Sequence, residues 1–380
     1  MKLFNFLKPK SYLGIDIGTS AIKIVQLSHA RDTFRVEQYG EITFFSKEAP
    51  MEVYQQSSLK MPDEQVAELV RKILHESKVT ATKAAMSLPV FSSFSTIIEL
   101  PPMPKDEMEK AIQFEARQYV PIPISEVSLD SLVLGEERKQ QQEENHAGRE
   151  EAEDQGWRAD PRAQKSKKLE ILLIAVPNEI KKKYEHIAQL AGLELTALEM
   201  ETFPLARAML KGNPTVTAVV DIGARSTDIC IADGGVVRIS HNFEFSGVDI
   251  TKAYGEFAKL DYVEAEKRKK VTGLNLTPGQ LLGAAGLLAI IDDIINETER
   301  ITHSYFNKTG RMVTRVVLAG GVSRMPGLLE QFRERFSSLP ADAVSIGNPF
   351  SGLVYPRELE KILQEIGPSF AVAVGLAMRR

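Results

Sequence analysis

Two aspartates, Asp16 and Asp221, each end an apolar run and are followed two residues later by a glycine, Gly18 and Gly223. Their surroundings nearly repeat: GIDIGTSAIKIVQL over 14–27 and VVDIGARSTDICIA over 219–232. Each segment reads as strand, turn, strand. In such a turn a glycine leaves no Cβ between the backbone amides and a ligand, and successive N–H groups form a concavity suited to a polyphosphate. Thr19, Ser20, Ser226 and Thr227 add hydroxyl donors, Ala224 and Arg225 complete the second turn, and Lys23 can reach a phosphate as a point charge. Asp16 and Asp221 end their strands at one mouth in this reading. They suit Mg²⁺, which keeps most of its waters and takes few protein carboxylates. One D-I-G turn is an ordinary strand connection; the duplicate points to two like domains facing one another across a phosphate.

Further elements must frame that mouth. RVVLAGGVSRMPG over 315–327 predicts a strand ending at Gly320 and Gly321, then a helix over 328–336. A glycine pair at a strand end lets backbone approach a flat ring or a phosphate. The segment PSFAVAVGLAMRR over 368–380 predicts a helix whose small residues, Ala371, Ala373, Gly375 and Ala377, permit close helix contact at an interdomain hinge. A helix over 62–77 carries Val66, Leu69, Val70, Ile73 and Leu74 at helical spacing. The apolar run 281–291 is too short for a membrane span and is closed by Asp292 and Asp293. With Ile294, Ile295 and Ile301 it predicts one long, mostly buried helix.

An α+β block follows the first apolar strands, from about 89 to 176: strand, helix, a proline-marked break and two strands. Its helix, KDEMEKAIQFEARQYV, places Met108, Ile112 and Tyr119 on an apolar face, with Glu109, Lys110 and Arg117 outside. Between its last two strands, residues 136–168 are dense in Glu, Gln, Lys and Arg. Such a stretch lacks the apolar surface to order itself and predicts a solvated, disordered hairpin loop, with Trp157 in loose contact.

Composition bounds the alternatives. A chain of 380 residues predicts two domains or more. The net charge of −4 gives no reason to expect nucleic acid. A single cysteine, Cys230, excludes an intramolecular disulfide, suits a reducing cytosol and reads as a small buried hydrophobe. The six histidines show no HExxH spacing. The opening MKLFNFLKPK lacks the apolar core of a signal peptide and reads as a short end strand or arm.

The order of these elements resembles the actin-like ATPases: strand–GIDIGT–strand, an excursion, VVDIGARSTD, a long helix, VLAGGVSRMPGL and a closing AVAVGLAMR helix. Within that superfamily the chain is similar to the PilM family of type IV pilus assembly. The motifs carrying that likeness are SYLGIDIGTSAIKIVQL, FEARQYVPIPISEVSLD over 114–130, FSGVDITKAY over 245–254, GNPF over 347–350 and the closing helix. The resemblance implies an α/β actin-like ATPase fold of two duplicated domains around a nucleotide cleft, taking ATP and Mg²⁺. One domain is expected over 1–213 with 352–380 and the other over 214–351, with the block 89–176 as a small inserted subdomain. It places the residue that positions the attacking water in LEMETFPLAR, where alignment on Arg207 selects Glu201 and alignment on Pro204 selects Phe203; Glu201 comes first and Glu199 second. Two carboxylates favoured by a helix start are the plainer account of that pair. The resemblance further points to Glu266 with Lys269 or Lys270 at the nucleoside, and to Gly247 near the phosphates. A run of Glu and Lys is otherwise a solvated helix face.

As a member of that family the chain is expected in the cytoplasm, at the inner face of the membrane, as an ATP-binding scaffold and switch with slow hydrolysis. Its implied partner is the N-terminal cytoplasmic peptide of PilN, bound near 89–176. Other inner-membrane pilus proteins and assembly ATPases are further candidate partners, membrane association is indirect through them, and a dimer or weak polymer is compatible. The alternatives are a filament-forming division protein like FtsA, a sugar or acetate kinase, a GspL-like secretion scaffold and a pseudo-ATPase.

Overall fold

The computed structural model describes residues 10–30, 33–44, 60–134 and 168–379. The opening nine residues, Trp157 and nearly all of the charged segment lie outside the described residues. The chain divides into two compact units, one of Met1–Phe91 with Lys182–Arg380, the other of Ser92–Lys181.

The larger unit is built from two sheets with one topology. In the first, β1 (Lys10–Ile17), β2 (Ala21–Ala30) and β3 (Thr33–Thr43) form an antiparallel meander, and β1 then pairs in parallel with β4 (Lys83–Leu88), which pairs in parallel with β8 (Glu194–Met200). The order is β3-β2-β1-β4-β8. In the second, β9 (Thr217–Ile222), β10 (Thr227–Asp233) and β11 (Val236–Phe243) repeat the meander, and β12 (Arg315–Ala319) and β13 (Val344–Ile346) repeat the parallel pair. The order is β11-β10-β9-β12-β13, so the near-repeat of sequence is a repeat of topology. Both meanders turn through the glycine loops singled out above.

Apolar strands, buried on both faces, explain why these segments are near-continuous hydrophobic runs. Ile15, Ile22, Ile24 and Val25 are fully buried in the first sheet, and Val219, Val220, Ile229, Cys230 and Ile231 in the second. Helix α1 (Asp63–Glu76) buries Val66, Ala67, Val70 and Ile73. Helix α3 (Asn178–Leu190) enters the larger unit from Lys182 onward; among the other helices there are α4 (Thr202–Leu210), which packs against both sheets, α5 (Gly247–Ala258) and α6 (Tyr262–Val271), and α8 (Ala285–Thr309), which covers the second sheet.

Two short helices, α9 (Leu328–Arg335) and α10 (Glu360–Ile366), precede the closing helix α11 (Ala371–Ala377), which is buried at every position. It lies against β1 and α4 through glycines. A Cβ on Gly375 would stand 1.8 Å from the Pro204 carbonyl oxygen, and one on Gly14 would stand 2.1 Å from that of Ala373. One hydrophobic cluster joins Ala85, Leu205, Val219, Cys230, Val317, Ala371 and Leu376, so α4 and α11 share a core with strands of both sheets.

Two readings need correction. The apolar run beginning at Leu281 is not one helix: α7 (Pro278–Leu281) stops, and α8 starts at Ala285. Leu282, between them, is 89% exposed, and the capping box of Thr277 and Gln280 starts the separate short turn ahead of it. In the smaller unit, β5 (Phe94–Leu100) and β6 (Val127–Leu134) flank β7 (Leu169–Pro177), and α2 (Lys105–Tyr119) buries Ile112 and Ala116. Tyr119, the last residue of the helix, is exposed rather than on the apolar face.

Candidate functional site

β1 and β9 occupy equivalent places in the two sheets, and each carries its aspartate one residue before its end. Asp16 is paired across strands with Lys23 on β2, and accepts a 2.8 Å hydrogen bond from Ser87 Oγ on the adjacent β4. Lys23 Nζ lies 3.9 Å from Glu41 on β3, its own cross-strand partner. Asp221 stands opposite Asp228 on β10 and beside Ala319 on β12. Asp228 accepts a 2.8 Å hydrogen bond from Asn242 Nδ2.

These charges act on one another across the two sheets. Burial, Asp228 and Asp16 raise Asp221 to about 7, against the pull of Lys23. Burial raises Asp228 to about 7 as well; the Asn242 bond lowers it and Asp16 raises it. Asp16 is raised by burial, countered by Lys23 and Ser87. Glu201 is raised well above the carboxylate range by burial, then by Asp228, Asp16 and Asp221, with Lys23 opposing. Four carboxylates and one lysine therefore share a single electrostatic site, drawn from both repeats. Asp228 and Glu41 were not singled out from the sequence; the alternation of β10 and β3 places them, and only pairing with Asp221 and Lys23 reveals them.

Glycines shape the walls. Gly320 has φ +81°, and a Cβ there would stand 2.3 Å from Asp221 Oδ1, so this residue must be glycine for the aspartate to sit where it does. Its N–H donates to the Pro368 carbonyl at 2.9 Å. A Cβ on Gly321 would meet open space. In the second turn the Gly223 N–H donates to Ser226 O at 3.0 Å, while Gly223 O and Ala224 O accept from the N–H groups of Gly247 and Val248 at 2.9 Å. The Gly247 amide is thus committed to holding the turn. Thr227 Oγ1 donates to Phe245 O at 2.7 Å and is committed likewise. Thr19, Ser20 and Ser226 are half-buried at the two turns. Arg225 beside them has its pKa lowered by burial, against Tyr262 and Asp249.

Glu201 and Glu199 part company. Glu201 sits between β8 and α4, its N–H donating to Leu88 O at 2.9 Å and its carbonyl accepting from Leu205 N at 3.0 Å. Glu199, on β8, is bound by Arg207 Nη2 at 2.7 Å and by Arg379. Arg207 also donates to Gly375 O at 2.8 Å, so this ion pair ties β8 to the closing helix. Lys269 is 5% exposed: its Nζ lies 2.5 Å from Glu266 and donates to Thr251 Oγ1 at 2.8 Å and Gly247 O at 3.0 Å. Lys270 is exposed, which separates the two lysines that the sequence left open.

The PilM signature runs through this frame. The family described as type IV pilus assembly protein PilM matches residues 14–152 and 157–380. The chain belongs to the PilM family. A solved PilM–PilN type IV pilus biogenesis complex is similar at 24% identity and a TM-score of 0.74, over 98% of this chain and 99% of that one. The fold is the actin-like ATPase fold. Also similar are the ethanolamine utilization protein EutJ from Carboxydothermus hydrogenoformans (15% identity, TM-score 0.49, over 98% and 91% of the two chains) and an MreB of Spiroplasma citri bound to AMPPNP (12%, 0.48, over 97% and 95%). In this PilM-family chain no helix among the described residues is long and apolar enough to cross a membrane.

Proposed function

We propose that this chain binds ATP with Mg²⁺ between its two repeated sheets and serves as a nucleotide-dependent scaffold of type IV pilus assembly. The observation that supports this most directly is that Asp16 and Asp221 stand near the ends of equivalent strands of the two repeats, with Lys23 paired across strands with Asp16. The donor set fits a hydrated divalent cation. Carboxylates that burial and mutual repulsion hold at a raised pKa are relieved by a cation between them, and oxygen donors from few side chains suit Mg²⁺. Asp16 and Asp221 would hold the ion through water, Lys23 would meet a phosphate, and the amides around Gly18, Ala224 and Gly321 would line its path. When bound, the ion neutralises phosphate charge. Glu201 would orient a water, with slow turnover serving conformational change. Glu266 and Lys269 would border the nucleoside side through the Gly247 turn that they brace.

The scaffold part rests on family membership and on the solved PilM–PilN complex, the partner there being PilN. Here the proposed partner is the N-terminal cytoplasmic peptide of a PilN, taken on the Ser92–Lys181 unit. That unit exposes Phe114, Tyr119 and Leu132, and its three-stranded sheet has two edges, which supports an apolar groove or strand addition. Partners of this kind would hold the protein at the inner face of the membrane. Calorimetric titration with ATP, with and without Mg²⁺ and then with the peptide, tests the proposal. Mg²⁺-dependent ATP binding with altered peptide affinity is the expected result; absence of ATP binding defeats the nucleotide reading.

A further inference from the structure

Lys269, on α6, carries a charge into the interior, and Thr251 on α5 beside it is fully buried. A lysine ammonium has three N–H donors and almost never enters a core unless it is paired. Here all three donors are met. Glu266 lies 2.5 Å away, Thr251 Oγ1 accepts at 2.8 Å and Gly247 O accepts at 3.0 Å. Thr251 closes the ring, its hydroxyl lying 2.6 Å from Glu266 and 2.8 Å from Gly247 O. The ammonium therefore has no proton left for a nucleoside, the contact that the resemblance assigns to it.

Gly247 is the first residue of α5, and the same first turn holds the second hairpin. The Gly247 N–H donates to Gly223 O and the Val248 N–H to Ala224 O, both at 2.9 Å. Peptide units of this turn are trans, so a carbonyl and the N–H of the next residue point in opposite directions. With the Gly223 and Ala224 carbonyls drawn to α5, the N–H groups of Ala224 and Arg225 are turned away from it. These are successive amides of the turn that follows Asp221. The approach leaves no slack: a Cβ on Gly247 would stand 2.8 Å from Val322 Cγ2 and 3.1 Å from Gly223 O.

We propose that Lys269 is a positioning residue for phosphate binding: by fixing the first turn of α5 it sets the direction of the Ala224 and Arg225 amides, without touching the nucleotide itself. This rests on the nucleotide reading above. Successive N–H groups held in one direction make an anion-binding concavity, and holding them before the ligand arrives removes an ordering cost at binding. Without the ammonium, two acceptors, the Glu266 carboxylate and the Gly247 carbonyl, face one another across the Thr251 hydroxyl. The exposed Lys270, 3.0 Å from Glu266, reaches only the carboxylate, so α5 loosens at its start.

The test is Lys269→Met in the full chain, read first without ligand by hydrogen exchange and mass spectrometry. The segment 245–254, which carries the Gly247 and Val248 amides, should exchange about tenfold faster or more, while β9 and β10 keep the parental rate. Affinity for Mg²⁺–ATP, by calorimetry, should fall about tenfold, the scale of one well-aligned hydrogen bond. The same factor should separate variant and parent with 2′,3′-dideoxy-ATP, since the ribose hydroxyls play no part. If Lys269→Met does not fold, Thr251→Val takes the same readings, with a smaller loss of about threefold expected. Parental exchange over 245–254 overturns the proposal, as does parental ATP affinity beside faster exchange. A loss that disappears with dideoxy-ATP overturns it by putting Lys269 at the ribose. Faster exchange that extends through β9 and β10 overturns it as a general loss of stability. A parent that binds ATP no better than the variant defeats the positioning role alone; a parent that binds no ATP defeats the nucleotide reading and this role with it.

Discussion

At the scale of single residues, the site is a set of carboxylates that burial makes reluctant to ionise. Asp221 titrates at about 7 in the fold and near 3.8 when unfolded. The folded state therefore holds the proton more tightly, and the stability associated with it is full below pH 4 and lost as pH rises toward and through 7. Ligand-free protein should accordingly melt lower at pH 8 than at pH 5.5 on account of this group. Asp221→Asn should flatten that dependence and stabilise the ligand-free protein at pH 8 by roughly 1–3 kcal/mol. The same variant, like Asp16→Ala, should lose Mg²⁺-dependent ATP binding with its circular dichroism unchanged. Melting curves at the two pH values check the first expectation and calorimetry the second; unchanged affinity in both aspartate variants would remove the site assignment.

Elements meet at the closing helix. Gly375 lets α11 approach α4 so closely that any side chain would collide with the Pro204 carbonyl. Backbone cannot yield as a flexible side chain does, so Gly375→Ala should destabilise the protein by on the order of 2–4 kcal/mol. Denaturant unfolding measures this, and a change under ~0.5 kcal/mol would mean that α11 moves freely. The ion pair of Glu199 with Arg207 and Arg379 braces the same junction from the side. Arg207→Ala would leave Glu199, whose side chain is 7% exposed, with Arg379 as its remaining partner, and would free the Gly375 carbonyl. A loss of about 1–3 kcal/mol is expected, less than the ~3–5 kcal/mol of a fully buried pair, because Arg379 still holds Glu199.

At the scale of the molecule, two repeats of one topology share a core through α4 and α11, and the acid cluster draws on both. A ligand contacting both hairpins would shift the population of interdomain arrangements by its differential affinity for them. The charged segment between β6 and β7 contributes little apolar surface, so deleting residues 140–164 should leave the melting temperature within about 2 °C of the parent. A large drop in that deletion would show that the segment packs against the fold.

Much of this was legible in the residue order. Strand, glycine turn and strand, written twice, specify two like meanders because alternating burial and tight turns are local properties of chain chemistry. Cys230, the valines and isoleucines of β9 and β10, and the small residues of α11 declare burial by type alone. Helix boundaries were less visible: ahead of the break at Leu282 a capping box starts a separate short helix, and the long helix begins only at Ala285. What required the tertiary structure is which charges meet. Glu199 and Glu201 lie two positions apart, yet one is tied to two arginines and the other stands in the acid cluster, because the chain turns from β8 into α4 between them. Asp228 and Glu41 carry no motif. Their part in the site comes from pairing across strands, an interaction between residues far apart in sequence that no local pattern encodes.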